Sequence, residues 1–226
     1  MTHDGSDPAI EARGVRKVFE TFERAPGLLG IVKNFVAREK VEITALADVD
    51  LVVHPGETVG LIGANGAGKT TLVKVLTGIV PASSGVARLL GEDSFHLRDA
   101  EKRRLALVMG QKSQLWWDLP PIDSFQLLRE IYSIDPADFD ARLEQYTEML
   151  DVKDRLKIQL RQLSLGQRMK MEIIGAFLHD PDVVFLDEPT IGLDLVSRET
   201  IRQFLVHLAE TRGVTVVRTS HDLEDF

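Results

Sequence analysis

Residues 63–70 read Gly63-Ala64-Asn65-Gly66-Ala67-Gly68-Lys69-Thr70, and they follow the largely apolar run Val59-Gly60-Leu61-Ile62. This spacing fits the pattern G-x-x-x-x-G-K-[ST], in which glycines let successive backbone N–H groups point into one concavity. A helix that starts at Lys69 adds the partial positive charge of its N-terminus. The stretch therefore predicts a nucleotide phosphate loop, with Lys69 at the β- and γ-phosphates and the Thr70 hydroxyl on Mg²⁺. The alternative is a glycine-rich turn without a ligand, but such a turn needs neither lysine nor threonine.

A second chemical signal is the pair of adjacent carboxylates Asp187 and Glu188, which end the apolar residues 183–186. In open α/β folds, ligands bind at the C-terminal ends of the strands. Successive side chains at a strand end point in different directions. We therefore expect Asp187 to hold the Mg²⁺ shell and Glu188 to act as the general base for an attacking water. The alternative is a plain polar strand end, which the phosphate loop upstream disfavours.

The apolar pattern predicts the fold class. Strands are expected at residues 9–15, 45–53, 57–63, 86–90, 105–109, 182–186 and 214–217, and helices at 69–77, 124–133, 136–150, 165–178 and 196–209. Several of these strands are continuously rather than alternately apolar. Such strands, separated by helices, predict an α/β fold with a mostly parallel sheet that is covered on both faces.

Composition excludes several classes of protein. With 226 residues, 44% hydrophobic and 27% charged, the chain is that of an ordinary globular protein. It has no cysteine, which excludes disulfides and thiolate metal sites. The formal net charge of -8 disfavours nucleic acid as a partner. Because no apolar run is long enough to cross a bilayer and the N-terminus is acidic, we expect a cytoplasmic location with at most a peripheral membrane role.

At this point the sequence resembles the ABC ATPase family, over residues 10–226. The stretch Leu163-Ser164-Leu165-Gly166-Gln167 is similar to the family signature LSGGQ, with a leucine in place of the first glycine. Gly192-Leu193-Asp194 is similar to the loop that crosses the dimer seam, although Ile191 stands where the family usually has serine. These motifs follow the phosphate loop in the family's order.

Three single residues extend the resemblance. Gln111 resembles the glutamine that senses the γ-phosphate and Mg²⁺, and His221 resembles the switch histidine that contacts the γ-phosphate. Phe19 occupies the place of the aromatic residue that stacks on adenine. Alone, each has an ordinary alternative: a solvated glutamine, a surface histidine or a core phenylalanine. Their joint order and spacing favours the functional interpretation.

The resemblance implies a P-loop NTPase fold of the ABC ATPase type, with an antiparallel N-terminal β-subdomain and an inserted helical subdomain at about residues 112–178. The implied cofactors are ATP and Mg²⁺. Motifs and resemblance together predict catalytic roles for Glu188, His221 and Gln111, and Mg²⁺ ligation by Thr70, Gln111 and Asp187. The predicted ATP contacts are Phe19, Gly63, Ala64, Asn65, Gly66, Ala67, Gly68, Lys69, Thr70, Thr71, Ser164, Gly166, Gln167 and Asp194.

Ser164 and Gly166 lie at the start of the helix predicted at residues 165–178, so a hydroxyl, backbone amides and a helix N-terminus form a second anion site. One chain cannot easily close both anion sites on one phosphate. The family closes them with a head-to-tail dimer of two copies, in which the signature of one copy caps the ATP held by the other. The resemblance implies this partner, and it requires the Leu165 side chain to point away from the phosphate.

Three kinds of work compete for such a cassette: transport through a membrane permease, action on ribosomes, and chromosome maintenance. About 120 residues separate Lys69 from Asp187, which leaves no room for the long coiled coil of the last class. Ribosome-acting members usually carry two cassettes, and this chain holds one. We therefore expect a transporter subunit with a separate transmembrane permease, peripheral on the inner face of the cell membrane.

Residues 110–120, GQKSQLWWDLP, are similar to cassettes that serve exporters of the ABC-2 type, and an importer is the alternative. Residues 20–44 are predicted to be an extended insert after the adenine-stacking position, similar to a helical segment in cassettes that export polysaccharides. Because adjacent residues cannot share one face, we expect one ring of Trp116 and Trp117 to enter the helical core and the other to face solvent or a permease-docking cleft; the alternative buries both rings. We also expect the single domain 1–226 to be C-terminally incomplete, which would expose an apolar face near residues 214–217.

Overall fold

The computed structural model describes residues 7–22, 40–110 and 112–222. Its strands are β1 (Ile10–Phe22), β2 (Lys40–Val53), β3 (Thr58–Ile62), β4 (Ser84–Leu89), β5 (Glu92–Asp93), β6 (Leu105–Met109), β7 (Val183–Asp187) and β8 (Thr215–Ser220). Its α-helices are α1 (Lys69–Leu76), α2 (Asp99–Lys102), α3 (Pro121–Tyr132), α4 (Pro136–Met149), α5 (Leu165–Phe177) and α6 (Leu195–Arg212). Single 3₁₀ turns cover Ser94–His96, Lys153–Arg155 and Leu160–Gln162.

The strands form two sheets. The first is antiparallel, with the order β2-β1-β4-β5, and the second is parallel, with the order β3-β8-β7-β6. Both sheet types were predicted, although the parallel strands came from the apolar pattern and the antiparallel subdomain only from the family resemblance. None of the helices in the described parts of the chain is long and apolar enough to span a membrane.

The parallel sheet separates two hydrophobic clusters, as the continuously apolar strands predict. On β7, Val184 and Leu186 belong to the cluster that the larger helices α3, α4, α5 and α6 complete. The alternate residues Val183 and Phe185 belong to the cluster formed with α1 and the antiparallel sheet. Because successive strand side chains point to opposite faces, residues 183–186 are buried on both faces of β7, which explains why this stretch is continuously apolar.

The expected exposed apolar face at residues 214–217 is wrong. Strand β8 lies between β3 and β7, so both of its edges are hydrogen-bonded. Val214, Val216 and Val217 are 4%, 1% and 0% exposed. As the last strand in the sequence, β8 was expected to be uncovered, but the parallel topology inserts it between two neighbouring strands.

The antiparallel sheet extends further than predicted. Strand β1 continues to Phe22 instead of residue 15, and β2 begins at Lys40 instead of residue 45. The added stretches pair with each other up to Phe22 and Lys40, and both contain β-branched and aromatic residues that favour strands, such as Phe19 and Ile43. Both strand ends enter the predicted insert at residues 20–44, whose central part, residues 23–39, lies outside the described residues.

Candidate functional site

The phosphate loop connects β3 to α1 with a backbone that requires glycine. Gly66 and Gly68 have φ values of 83° and 92°, in the left-handed region that side chains disfavour. A Cβ atom on Gly68 would lie 2.5 Å from the carbonyl oxygen of Ala45 on β2. The loop is therefore packed directly against the antiparallel sheet. Gly63 N–H donates to the carbonyl of Ser220 at the end of β8, at 3.3 Å.

Lys69 begins α1, and its side chain folds back over the loop. Its Nζ donates to the carbonyl oxygens of Gly63 and Ala64, at 2.6 and 3.1 Å. The same Nζ lies 3.8 Å from Oε1 of Glu188, and the lysine side chain is only 9% exposed. The ammonium group is thus held between the loop and the acid pair, where it can bind a phosphate without a large movement.

Asp187 accepts two hydroxyl hydrogen bonds. Thr70 Oγ1 donates to Oδ2 at 2.8 Å, and Thr219 Oγ1 donates to Oδ1 at 2.7 Å. The residue is 7% exposed. Mg²⁺ prefers oxygen ligands and is usually bound by one or two carboxylates together with water and substrate phosphates. The contact between the Thr70 hydroxyl and the Asp187 carboxylate therefore fits such an ion.

Glu188 lies just beyond β7 with an unusual backbone. Its φ is 51°, which is uncommon for a residue with a side chain and often marks a functional position. Its N–H donates to Thr219 Oγ1 at 2.9 Å, and its carbonyl oxygen is so close to Gly110 that a Cβ there would approach it to 2.3 Å. Asp187 and Glu188 consequently contact different partners, the first Thr70 and the second Lys69.

Sequence reasoning missed Thr219, which touches both carboxylate residues. This fully buried threonine donates to the Asp187 side chain and accepts from the Glu188 backbone. Its only signal was a hydroxyl within the strand sequence Thr215–Ser220, two residues before His221. His221 itself is exposed at the end of β8, and Gln111 lies outside the described residues.

The predicted adenine platform lies on β1. Phe19 is 40% exposed, and the Nζ of Lys17 is 5.0 Å from its ring centroid. Phe19 pairs directly with Ile43 on β2, two residues before the Ala45 carbonyl against which Gly68 packs. The exposed ring is thus connected to the phosphate loop through β2. Another predicted ATP contact, Thr71, lies in the first turn of α1.

The signature residues form the start of α5. Ser164 Oγ accepts from Gln167 N–H at 3.2 Å, and Gln167 Oε1 accepts from Ser164 N–H at 3.1 Å, a reciprocal capping box. A Cβ on Gly166 would lie 2.4 Å from Ser197 Oγ and 3.5 Å from Asp194 Oδ2. The signature therefore packs against the start of α6 in its own chain.

Asp194 caps α6. Its carboxylate accepts from the N–H and the hydroxyl of Ser197, at 2.9 and 2.7 Å. The hydrogen bond from the Ser197 N–H, and to a smaller extent the one from its hydroxyl, hold the pKa of the Asp194 carboxyl below its ordinary value. Leu165 is 43% exposed, and one of its methyl groups lies 3.3 Å from the Cβ position of Gly192. The leucine that replaces the signature glycine thus lies beside the Gly192-Leu193-Asp194 loop.

An apolar groove of about 410 Å³ lies between α3, α5 and β6. Its exposed apolar wall residues are Ile79, Trp116, Leu127 and Ile131. Trp117 faces a different partner, because the guanidinium of Arg168 on α5 lies 4.7 Å from a ring centroid of Trp117. The two tryptophans are 48% and 47% exposed, so the expectation that one ring enters the core and the alternative in which both are buried are both wrong.

Comparisons with known proteins identify the family of the chain. The family model described as ABC transporter matches residues 46–191. The chain is 31% identical over 193 residues to the ABC transporter ATP-binding protein NatA of Bacillus subtilis, covering 85% of this chain and 78% of that protein. It is 30% identical over 198 residues to the methionine import ATP-binding protein MetN of Corynebacterium efficiens, covering 86% and 55%.

Another relative is the Nod factor export ATP-binding protein I of Cupriavidus pinatubonensis, 32% identical over 201 residues, covering 88% of this chain and 61% of that protein. The chain thus spans less than two thirds of this relative and of MetN. A solved structure described as an ATP binding subunit of an ABC transporter superposes with a TM-score of 0.76 at 24% identity, covering 96% of this chain and 80% of the other. This likeness confirms the predicted fold.

Proposed function

Because the chain belongs to the ABC transporter family, as an ATP-binding subunit whose ATP hydrolysis is coupled to transport, we propose that it powers export through a separate permease by MgATP-driven dimerisation. The observation that carries the proposal is the joint geometry of the phosphate loop and the acid pair. Thr70 contacts Asp187 at 2.8 Å, and Lys69 lies 3.8 Å from Glu188. Phosphate-binding and water-activating groups therefore lie side by side.

Binding begins at the phosphate loop. The Lys69 ammonium exchanges its bonds to the Gly63 and Ala64 carbonyls for the β- and γ-phosphates of ATP, and the loop N–H groups and the N-terminus of α1 bind the remaining phosphate oxygens. Thr70, Asp187 and, by family resemblance, Gln111 would hold the Mg²⁺, which neutralises charge on the phosphates. Phe19 supplies an exposed ring for adenine.

Hydrolysis is assigned to Glu188 as general base, which takes a proton from the attacking water. Its backbone is fixed by the N–H bond to Thr219, and its carboxylate lies beside Lys69. As the ammonium turns toward phosphate, the carboxylate is left free to accept the proton. The roles of Gln111 and His221 beside the γ-phosphate rest on the family resemblance.

A second copy of the chain completes the site. Ser164 is exposed at the N-terminus of α5, where its hydroxyl and the helix N-terminus suit an anion, whereas Gly166 is buried against Ser197 and Gln167 is half-buried. In the proposed dimer these residues cap the ATP held by the partner, and Asp194 lies next to them across Ser197. Hydrolysis removes the γ-phosphate that both copies bind, and so the dimer opens.

Export is favoured by residues 110–120, which resemble the ABC-2 exporter group, and by the likeness to a Nod factor export protein. The specific alternative is import, because MetN is similarly related.

The apolar groove with Trp116 and Ile131 suits a cytoplasmic helix of the permease, since apolar grooves bind amphipathic helices. Such docking would hold the chain peripherally on the cytoplasmic face of the membrane.

The test uses vesicles that contain the chain reconstituted with its permease, with nucleotide supplied on one side only. We expect Trp116→Ala to leave the hydrolysis rate of the isolated chain within about twofold and to lower permease-stimulated hydrolysis and transport about tenfold or more, since interface tryptophans carry much of a binding energy. Val52→Ala, a similarly exposed apolar residue on β2, is the matched control.

Movement of substrate toward the nucleotide-containing side would overturn export in favour of import. Normal transport by Trp116→Ala would contradict docking at the groove. Absence of ATP hydrolysis by the wild-type chain, alone and with its permease, would remove the basis of the whole proposal.

A further inference from the structure

Glu172 is a buried carboxylate in the middle of α5, the helix that carries the signature at its start. The residue is 7% exposed, and its neighbours Met171 and Ile173 are fully buried. Burying a carboxylate costs several kcal/mol unless hydrogen bonds replace the lost water. A glutamate at this position therefore needs a specific set of donors.

The donors all come from one short segment, residues 113–115. Ser113 Oγ donates to Oε1, Gln114 N–H donates to both carboxylate oxygens at 3.1 and 3.0 Å, and Leu115 N–H donates to Oε1 at 3.3 Å. None of the residues that the structure describes forms an ion pair with Glu172. Burial raises the pKa of the Glu172 carboxyl above its ordinary value, while these hydrogen bonds act in the opposite direction.

This segment directly continues the chain from the acid pair. Gly110 N–H donates to the Asp187 carbonyl at 2.8 Å, and the Gly110 Cα lies against the Glu188 carbonyl. Three residues later the chain is bound to Glu172. Gln111, although outside the described residues, therefore lies in sequence between one anchor on the acid pair and another on the signature helix.

We propose that Glu172 is a positioning residue for hydrolysis, which ties the signature helix α5 to the segment that follows Gln111. The inference deepens the proposed function and rests on it. When the signature of one copy is drawn onto the nucleotide of the other, the movement of α5 is transmitted through Glu172 to residues 113–115 and hence to the γ-phosphate end of the same chain's site.

The test compares Glu172→Ala, which removes all the acceptors, with Glu172→Gln, whose amide oxygen can still accept the three bonds made to Oε1. We expect the alanine variant to lower kcat about tenfold or more, as misplaced catalytic groups do, with the ATP dissociation constant changed less than about twofold. Glutamine should restore most of the loss. Glu148→Ala, an exposed glutamate on α4 paired with Lys153, is the matched control.

A double-mutant cycle with Ser113→Ala identifies the contact. If Glu172 acts through residue 113, the two substitutions together should lower kcat by less than the product of their separate effects. Full additivity would contradict action through that hydroxyl, and unchanged kcat in Glu172→Ala would overturn the proposal. A fall in apparent kcat that equals the fall in folded fraction, with KM unchanged, would reduce Glu172 to a structural residue.

Tryptophan emission gives a readout that does not depend on hydrolysis. The chain has two tryptophans, Trp116 and Trp117, and both directly follow the tied segment. Glu172→Ala should shift their emission maximum and Glu148→Ala should not. An unchanged maximum in Glu172→Ala would refute the tie even if the wild-type chain hydrolyses ATP, so this failure is distinct from failure of the proposed function.

Discussion

Replacing Thr219 by valine should damage the acid pair more than its small chemical change suggests. The threonine hydroxyl donates to Asp187 at 2.7 Å and accepts from Glu188 N–H at 2.9 Å, within a fully buried side chain. Valine has nearly the same shape but no hydroxyl. The substitution therefore leaves a buried N–H without its acceptor and removes one of the two hydroxyl donors of a buried carboxylate.

The magnitude follows from those two contacts. An unsatisfied buried donor costs about 1–3 kcal/mol, and a hydrogen bond to a charged group contributes about 1.5–3 kcal/mol. Because both contacts share one hydroxyl, we take about 3 kcal/mol for the loss in unfolding free energy. In a chain of this size each kcal/mol lowers Tm by about 2–4 °C, so Tm should fall by about 6–12 °C.

The matched control is Thr219→Ser, which keeps the hydroxyl and removes one methyl group, at a cost of about 1 kcal/mol. If hydrophobic burial alone set the stability at this fully buried position, the valine variant would be more stable than the serine variant. If the hydrogen bonds dominate, the serine variant is the more stable one. Calorimetry and urea unfolding of both variants distinguish these outcomes. The valine variant should also lose at least about tenfold in kcat, because Glu188 is no longer held by its N–H. A valine variant as stable and active as the serine variant would refute the reasoning.

Two further predictions concern Glu188 and His179. Glu188→Gln should lower the hydrolysis rate by about two to four orders of magnitude while ATP still binds and the dimer persists in size-exclusion chromatography with MgATP; a native rate would assign the base elsewhere. Burial lowers the pKa of His179 from 6.5 to about 4, so the unfolded chain takes up a proton over that interval and the folded chain does not. The unfolding free energy should thus decrease by about 2 kcal/mol between pH 7 and pH 5 through this residue. The variant His179→Phe can keep the stacking on Tyr132, and in urea titrations at the two pH values it should lack this decrease in unfolding free energy. A pH dependence equal to that of the wild-type chain would contradict the assignment to His179.

The parts of the fold that were predictable have short-range signals. The start of α1 at Lys69 and the extent of β6 follow from the glycine loop and from one apolar run, and both were predicted correctly at those boundaries. The extensions of β1 and β2 had a sequence signal that was not used, because β-branched and aromatic residues such as Phe19 and Ile43, which pair across the two strands, favour strands even where they alternate with charged residues. The two-residue strand β5, in contrast, exists only through its pairing with β4.

The position of β8 shows a different limit. Its apolar residues predicted a strand correctly, but the order of strands in a parallel sheet is set by crossover connections rather than by sequence proximity. Strand β8 lies beside β3, whose residues precede it by more than 150 positions. An argument from the order of the chain therefore took a central strand for an uncovered one.

The candidate site, like the fold, was only partly predictable from the sequence. Roles for Lys69, Thr70, Asp187 and Glu188 could be predicted because each residue lies within a motif of a few residues. The side chains that hold those groups in place belong to other elements: Thr219 reaches Asp187 across 32 positions, and Glu172 reaches Ser113 across 59. No spacing rule connects residues so far apart, yet each would be costly to bury without its partner. A lone polar residue in an apolar element, such as Glu172 between Met171 and Ile173, is therefore the sequence signal for a side chain that positions a site. The structure then identifies which group each such side chain holds in place.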